Sequence, residues 1–349
     1  MAEKKNAPHD LQQTKGVFSF RGIVTGTDKD GFYTDKKTQT GKLFRAVSFG
    51  IEYDKDKRDF ISLNGMERDS VFFSKTEKVD GKNKTTVEKV AWKDRDSFSK
   101  EGFGLIGINL GLVKIQQDGK EVNDKKTMVE FDACKYIGEN LKDGQSVFIK
   151  GSIDYSTYNG KHYTKFVPQQ ISLCTKDIDF EDESFKTNNF FTQTVVLMGV
   201  KKDETCKDRK KFIVSAKTIG YSNIEDVEFV IYDNEKLAKN LKSLKPYTAI
   251  EIHGNIVVAT SVDTVEEEDD GWGDSNPMER NNAPFVRELV ITGADKESID
   301  DTLYSESSIE SAIAKLNSKN QTNKEFGNDS DDWGTVGSNS PDDDDDEWA

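Results

Sequence analysis

Hydrophobic and polar residues alternate along several short stretches of this 349-residue chain, a pattern typical of β-strands. In the first half the pattern covers Gly16 to Thr25 and Leu43 to Tyr53, and in the second half it covers Phe191 to Val200 and Lys211 to Thr218. In both halves a short helical stretch follows, and then two more strands. The pattern predicts an all-β protein with short helices.

The two predicted helices lie at matching places in the halves. The first covers Ala133 to Leu141. The second follows Asn234, a residue type that caps helix N-termini, and Leu237, Leu241 and Leu244 recur there with the spacing of an apolar stripe.

Short motifs recur about 100 residues apart, which indicates two copies of one domain. Strands, one helix and then a strand pair follow the order of the five-stranded OB barrel. The sequence therefore predicts two tandem OB-fold barrels. The recurring motifs are Phe131-Asp132, Asn140-Leu141-Lys142 and Ile149-Lys150-Gly151 in the first copy, and Tyr232-Asp233, Asn240-Leu241-Lys242 and Ile252-His253-Gly254 in the second.

The remaining segments complete the predicted organisation. An apolar stripe behind a capping box at Ser307 predicts a short helix that packs on the second barrel or on a partner. The predicted segments are a disordered N-terminus (1–13), a first OB barrel (14–176) with an insertion at about 54–126, a linker (177–187), a second OB barrel (188–295) with an acidic loop (263–283), a short helix (303–318) and a disordered acidic tail (319–349).

The net charge of −15 is divided unequally between the halves. Residues 1–176 have 31 Lys and Arg against 25 Asp and Glu, whereas residues 177–349 have 18 against 39. The last acidic run ends in a tryptophan, and such a run is either an interaction tail or a solubilising one. Its residues are Asp342, Asp343, Asp344, Asp345, Asp346, Glu347 and Trp348.

Several classes of protein are disfavoured. Cys134, Cys174 and Cys206 are not clustered, and the three histidines are scattered, so disulfides, a metal site and any cofactor are not expected. The phosphate-cradling, nucleophilic and metal-ligating motifs of enzymes are absent from the sequence. No apolar run is long enough to span a bilayer, so we expect a soluble, cytoplasmic, non-enzymatic protein.

Part of the first copy resembles single-stranded DNA-binding proteins. The run from Asp132 to Gly151 resembles their helix and fourth strand, and Tyr158 to Tyr163 with Ile171 to Leu173 resembles their last hairpin. The acidic tail resembles those of bacterial and phage members. Two copies per chain, and Ala349 after Trp348, depart from the bacterial pattern. Tandem barrels in a chain of this size look more like phage members.

The resemblance implies a protein that coats single-stranded DNA in DNA replication, recombination or repair, in the host cytoplasm if it is phage-encoded. Aromatic platforms interleaved with cations suit that ligand. The candidate residues are Arg21, Tyr33, Lys42, Phe44, Arg45, Lys89, Trp92, Lys93, Phe148, Lys150, Tyr155, Tyr158, Lys161, Tyr163 and Lys165.

Alternation sorts some of these candidates. If Val147 and Ile149 face inward, Phe148 and Lys150 face outward, where an exposed Phe beside a Lys favours a ligand. Phe44 shares its face with small residues that leave room for a base. Tyr155 and Tyr158 either contact DNA or pack in the turn.

The insertion contains a basic and aromatic cluster around Lys89 and Trp92. It is either a flap over bound DNA or a β-hairpin with an ordinary solvated face, and Val71 to Phe73, Val87 to Trp92 and Phe103 to Ile115 read as its extra strands. In the second copy, Glu251, His253 and Asn255 face outward, which favours a structural or protein-binding role.

We expect the tail to cover the basic groove of the first barrel without DNA, and to recruit replication or recombination proteins when DNA displaces it. Two alternatives stay open. One is an acidic protein-interaction or DNA-mimic factor, and the other is an RNA-binding OB protein. The oligomeric state is not indicated by the sequence.

Overall fold

The computed structural model describes residues 7–38, 41–79, 81–158, 160–260 and 285–325. The predicted acidic loop at 263–283, and the tail residues from 326 onward including Trp348, lie outside these residues. The described part is mostly strand, with short helices, as predicted.

The first half forms a barrel with an elaborate insertion. Its elements are β1 (Gly16–Thr25), β2 (Tyr33–Lys37), β3 (Leu43–Asp54), β4 (Lys57–Met66), β5 (Ser70–Val79), β6 (Lys82–Ala91), a 3-10 turn (Trp92–Asp94), β7 (Gly104–Leu105), β8 (Ile108–Gly111), β9 (Lys114–Gln117), β10 (Lys120–Asn123), β11 (Lys126–Met128), α1 (Glu130–Asn140), β12 (Ser146–Tyr158) and β13 (Lys161–Leu173).

The second half forms a simpler barrel followed by a helix. Its elements are β14 (Asn188–Asp203), β15 (Lys211–Ile219), β16 (Ile224–Tyr232), α2 (Glu235–Lys242), β17 (Thr248–Thr260), β18 (Phe285–Asp300) and α3 (Glu306–Glu325). The Asn234 side chain accepts a hydrogen bond from the Leu237 backbone N–H, which confirms the predicted cap of α2.

The strand order of the second half is that of an OB barrel. β14, β15 and β16 form an antiparallel meander, and β17 pairs with both β14 and β18. β18 then meets β16 in parallel at Val290 and Val230, which closes the barrel. α2 lies between the third and fourth strands, as the OB layout requires.

The first barrel closes through a divided third strand. β1 pairs with β3 and β12, β3 pairs with β4, and β12 pairs with β13. The parallel partner of β13 is β8, so β4 and β8 share the role of the third strand. β4 lies inside the region 54–126, which we assigned to the insertion. The charged residues at the start of β4 obscure its strand pattern.

The core is continuous through both barrels. Phe18 and Phe20 on β1 are buried against Phe166 on β13, with ring centroids 4.9 and 5.5 Å apart. Phe191 stacks on Phe229 in the second barrel at 5.8 Å. Each fully buried side chain of this size contributes roughly 1.5–3 kcal/mol, so these rings stabilise the two barrels strongly.

The two barrels share one sheet. β1 pairs antiparallel with β14 from Gly16 opposite Gln193 to Arg21 opposite Asn188, and Phe18 lies opposite Phe191. The two first strands are therefore related by a pseudo-twofold axis. The sheet runs β13–β12–β1–β14–β17–β18, so neither first strand leaves an unpaired edge.

Each barrel extends its last hairpin onto the other barrel. The hairpin of β12 and β13 meets the β15–β16 turn, where Asn223 donates to the Tyr155 carbonyl at 2.8 Å and Thr157 donates to Glu225 at 2.6 Å. In return, the Val258 N–H on β17 donates to the Tyr53 hydroxyl at 3.1 Å.

Arg287 on β18 stabilises the contact between the β17–β18 hairpin and the first barrel. Its guanidinium donates to the Asp59 carboxylate on β4 and to the Thr164 carbonyl on β13 at 2.8 Å, and it lies 4.7 Å from the Phe166 ring centroid. In the described residues no backbone ladder joins β4 to β13. Arg287 therefore joins two strands of the first barrel from outside it.

The ends of the described chain dock on the second barrel. The His9 ring forms a hydrogen bond with the Gly220 carbonyl at 2.8 Å, so this residue of the segment 1–13 contacts the second barrel. Ile309 of α3 is buried with Ile219 and Tyr304, and the Tyr304 hydroxyl donates to the Gln12 carbonyl. α3 continues to Glu325, into the segment from 319 that we expected to be disordered.

Replacing Arg287 with Met should lower the free energy of unfolding by about 3–5 kcal/mol, because the substitution leaves Asp59, which is 1% exposed, as an unpaired buried charge. Denaturant unfolding measures this. Lys245→Met is the matched control, since its ion pair with Asp301 is exposed and should contribute about 0–1 kcal/mol. Equal, small losses would show that Arg287 does not stabilise the barrels.

Candidate nucleic-acid interface

An exposed aromatic ring stands on the outer face of β4. Asp59, Ile61 and Leu63 point into the barrel and are buried, so alternation turns Phe60 outward. Its side chain is 50% exposed. The ring lies outside the hydrophobic core of the barrel, so Phe60 is a candidate stacking platform.

Small residues surround Phe60 and leave its ring open. Gly50 lies directly opposite on β3, where a Cβ would lie 2.4 Å from the Thr25 hydroxyl. Ser48 and Ser62 form the next cross-strand pair. We call the central outward residues of these two strands the strand-pair face: Ala46, Ser48, Gly50, Glu52, Arg58, Phe60, Ser62 and Asn64, with Glu52 opposite Arg58.

Arg58 adds positive charge beside the ring. Its guanidinium carbon lies 5.6 Å from the Phe60 ring centroid, and the side chain is exposed. An aromatic face with a neighbouring cation can stack a base and attract its phosphate. In OB folds the second and third strands are a usual surface for oligonucleotides.

Phe44 is not the exposed platform that we predicted. It is 5% exposed, and the Lys36 ammonium lies 5.6 Å from its ring centroid. Strand β2 pairs with this end of β3, so Lys36 stands opposite Phe44 and covers it. Lys42 is half-buried just before β3, and its backbone N–H donates to the Thr38 hydroxyl.

Arg45 and Tyr33 have structural contacts. Arg45 donates to Asp35 at 3.0 Å, and its guanidinium lies 3.9 Å from the Phe131 ring centroid. The Tyr33 hydroxyl donates to the same carboxylate at 3.0 Å, and burial, with that bond, raises the pKa of Tyr33 to about 12. Both side chains therefore join β2 and β3 to α1.

The aromatic member of the insertion cluster also packs. Trp92 is half-buried, edge-on to Phe131 at 5.8 Å, and Arg95 lies 4.3 Å from its ring centroid while donating to Asp132 at 2.8 Å. Lys89 and Lys93 are exposed. The predicted cluster is thus divided between a packed tryptophan and two free lysines.

Phe148, Lys150 and Arg21 lie on another surface, the outer face of β1 and β12. Phe148 is half-buried opposite Arg21, and Lys150 is exposed opposite Ser19. Arg21 donates to the Lys186 carbonyl at 3.1 Å, so the linker before β14 holds it. The predicted outward orientation of Phe148 and Lys150 agrees with the register, and β1 separates their strand from β3 of the strand-pair face.

The remaining candidates lie on the β12–β13 hairpin. Tyr163 is 41% exposed, and Lys161 is exposed at the tip of the hairpin. Lys161 lies opposite Tyr158 in the strand register, and the Tyr158 side chain lies outside the described residues. Tyr155 packs against the core, and burial raises its pKa. Lys165 is half-buried opposite Asp154, and burial lowers its pKa.

Sequence reasoning missed Phe60 and Arg58, although a signal for them exists. Ile61 and Leu63 alternate with Phe60 and Ser62, which is a strand pattern with an aromatic on the polar face. The assignment of this stretch to the insertion removed it from the list of barrel strands.

The equivalent face of the second barrel has charges of both signs. Asp226 and Glu228 on β16 are exposed, Glu228 lies opposite Ser215, and Asp226 pairs with Lys217 on β15 at 2.5 Å. Tyr232 lies opposite Lys211 on the same face, but its ring is half-buried, unlike that of Phe60.

The described part of the chain contains no group of three or more His, Cys, Asp or Glu side chains that are placed to hold a metal ion. None of the described helices is long and apolar enough to cross a membrane.

A family model described as YorF matches residues 77–329, more than two thirds of the chain. The chain belongs to the YorF family. That family description names no activity, and none of the curated proteins matches the chain.

Among solved structures, the wild-type single-stranded DNA-binding protein of Thermus aquaticus is 9% identical, with 85% of this chain and 99% of that chain covered and a TM-score of 0.41. A deletion mutant of that protein is 9% identical, with 81% of this chain and 94% of that chain covered and a TM-score of 0.40. A replication protein A heterotrimer bound to single-stranded DNA is 8% identical, with 90% of this chain and 100% of that chain covered and a TM-score of 0.19. At these TM-scores the likeness carries no weight, so the OB assignment depends on the strand order above.

Truncating the two phenylalanines should separate their roles. Phe44→Ala should lower the free energy of unfolding by about 3–5 kcal/mol because the ring is buried, whereas Phe60→Ala should change it by less than about 1 kcal/mol because the ring is half exposed. Denaturant unfolding of both variants checks this. A large loss for Phe60→Ala would mean that this ring is structural.

Proposed function

We propose that this protein binds single-stranded DNA through the strand-pair face of its first barrel, as a non-enzymatic coating protein. The observation that supports this most is Phe60, half exposed among small residues and beside Arg58. One base stacks on the Phe60 ring, and the Arg58 guanidinium contacts the neighbouring phosphate.

The geometry favours single strands over duplex DNA. A ring on a sheet surface needs an open base face, and in a duplex those faces are stacked on one another. Serine hydroxyls and a glycine around the ring accept any base, so little sequence preference is expected. Phosphate contacts make the affinity depend on salt.

The two barrels have different roles in this proposal. The first binds DNA. The second has Asp226 and Glu228 on its equivalent face and supports the first through Arg287. Other sequence candidates, such as Tyr163 and Lys161 on the hairpin, extend the binding surface.

The acidic tail has two proposed roles, which are to regulate DNA binding and to bind partner proteins. We propose that Asp342 to Trp348 competes with DNA for the first barrel and, once displaced, recruits replication or recombination proteins in a phage-infected cell. The charge of the two halves supports this, because residues 1–176 carry a net +6 and residues 177–349 a net −21.

Phe60→Ala should weaken binding of a fluorescent oligo(dT) by about 1–3 kcal/mol, because base–aromatic stacking contributes that amount per base. Fluorescence polarisation measures it, with duplex and RNA of the same length as competitors. Phe190→Ala is the matched control, since this phenylalanine on β14 is also 50% exposed but lies on the sheet that joins the barrels.

The same assay separates the other candidates. A loss with Phe190→Ala, Phe148→Ala or Lys150→Glu, but not with Phe60→Ala, would move the binding surface to the outer face of β1, β12 and β14. Stronger binding of RNA would make this an RNA-binding protein. Failure to bind any oligonucleotide would favour the acidic protein-interaction or DNA-mimic factor.

Deleting residues 342–349 should tighten binding of single-stranded DNA, mainly at low salt, because a competing polyanion is removed and salt screens what remains. A polarisation series across salt concentrations tests this. A variant with Trp348→Ala alone keeps the charges and should retain the competition while losing partner recruitment. An unchanged affinity across the whole series would contradict competition by the tail.

A further inference from the structure

The insertion has its own small sheet with one buried and one open face. β5 pairs with β6 and with β7. Val71, Phe73 and Val90 point to one side and are buried with Val129 and Phe131, against α1. The hairpin is thus fixed to the barrel at its base, and its opposite face is turned away from that core.

The open face has no carboxylate. By the register of β5 and β6 it consists of Ser70, Phe72, Ser74, Thr76, Lys78, Asn83, Thr85, Val87, Lys89 and Ala91. The chain as a whole has 64 Asp and Glu among its 349 residues, and none of them is at these ten positions. The acids Glu77 and Glu88 of these strands are on the buried side, and Glu88 pairs with Lys100. We call this surface the acid-free face.

An aromatic ring, a cation and an aliphatic residue form a row across the three strands. Phe72 is 43% exposed, and Lys89 lies directly opposite it on β6. On the other side, the Ile106 N–H donates to the Phe72 carbonyl at 2.9 Å, and the Ile106 side chain is 51% exposed. Packing does not explain this row, because the core of the insertion is on the other face.

A shallow cavity lies beside the row. It has a volume of about 90 Å³, and Arg68, Phe72, Trp92 and Ile106 are among its lining residues. Arg68 is exposed and pairs with Glu130, another lining residue, at 3.7 Å. The walls are mostly apolar, and a phosphate at the rim would compete with Glu130 for Arg68.

The strand-pair face leads to this place. Along β4 the outward residues after Phe60 are Ser62, Asn64 and Met66, and Arg68 follows the strand. The distance from Phe60 to Met66 along an extended strand is about 20 Å. A ligand that begins on Phe60 and follows β4 arrives at the insertion.

We propose that the acid-free face is a second contact for the same single strand of DNA, with Phe72 as its stacking platform and Lys89 and Arg68 as phosphate contacts. The inference rests on the proposed function of the first barrel and extends its footprint. The charge decides for nucleic acid over an apolar peptide, because lysine stands beside the ring and the face has no acid.

The test is the length dependence of binding. With oligo(dT) of about 8 nucleotides, within the site size of one OB fold, Phe72→Ala should bind as the unsubstituted protein does, whereas Phe60→Ala should bind weakly. With about 30 nucleotides, Phe72→Ala should bind roughly 5- to 100-fold more weakly, as expected for one lost stacked base. Tyr221→Ala, which removes a 47% exposed ring on the second barrel, is the matched control and should change neither affinity.

Two further variants identify the interaction. Phe72→Tyr keeps the aromatic face and should keep the long-oligonucleotide affinity, whereas Phe72→Leu keeps only the apolar surface and should lose it. If Phe72→Ala binds both lengths normally while Phe60→Ala does not, the second contact is wrong and the first stands; a protein partner would then explain the row. If the unsubstituted protein binds neither length, the proposed function itself fails.

Discussion

The antiparallel pairing of β1 with β14 is the constraint on which the rest of the structure depends. Each first strand uses its N-terminal half for the other barrel and its C-terminal half for its own second strand. This fixes the barrels about a pseudo-twofold axis, because a one-residue slip would turn Phe18 and Phe191 out of the core. It also directs the last hairpin of each barrel onto the other.

That exchange of hairpins places a residue of the second barrel next to the candidate site of the first. Arg287 donates hydrogen bonds to Asp59, the residue before Phe60, and to the Thr164 carbonyl. It thereby joins β4 to β13, which are not paired through their backbones in the part of the chain that the structure describes. The second barrel therefore supports the surface that precedes Phe60 while having carboxylates on its own equivalent face. Under the proposed function, this support is the contribution of the second copy.

Local patterns predicted much of the fold. Alternation located β1 and β3 to within a residue, and the Asn234 cap and leucine spacing located α2. The candidate site was harder to predict, because contacts with residues that are distant in sequence decide which of its side chains are exposed. Phe44 is covered by Lys36 on a neighbouring strand, and Arg45 packs on Phe131, 86 positions away. Alternation shows which side of a strand a ring faces, but not what else covers that side.

The direction of β4 relates the second barrel to the proposed path of the DNA. The strand begins at the contact with Arg287 and ends at the insertion, so Phe60 is near the second barrel and the outward row leads away from it. Under the proposed function, a phosphate chain on this row leads toward Lys89 and Arg68, which are exposed. Coulomb attraction to these cations acts on the phosphates and not on the bases. It therefore orients a polyanion along the strand without reading its sequence, as the proposed coating function requires.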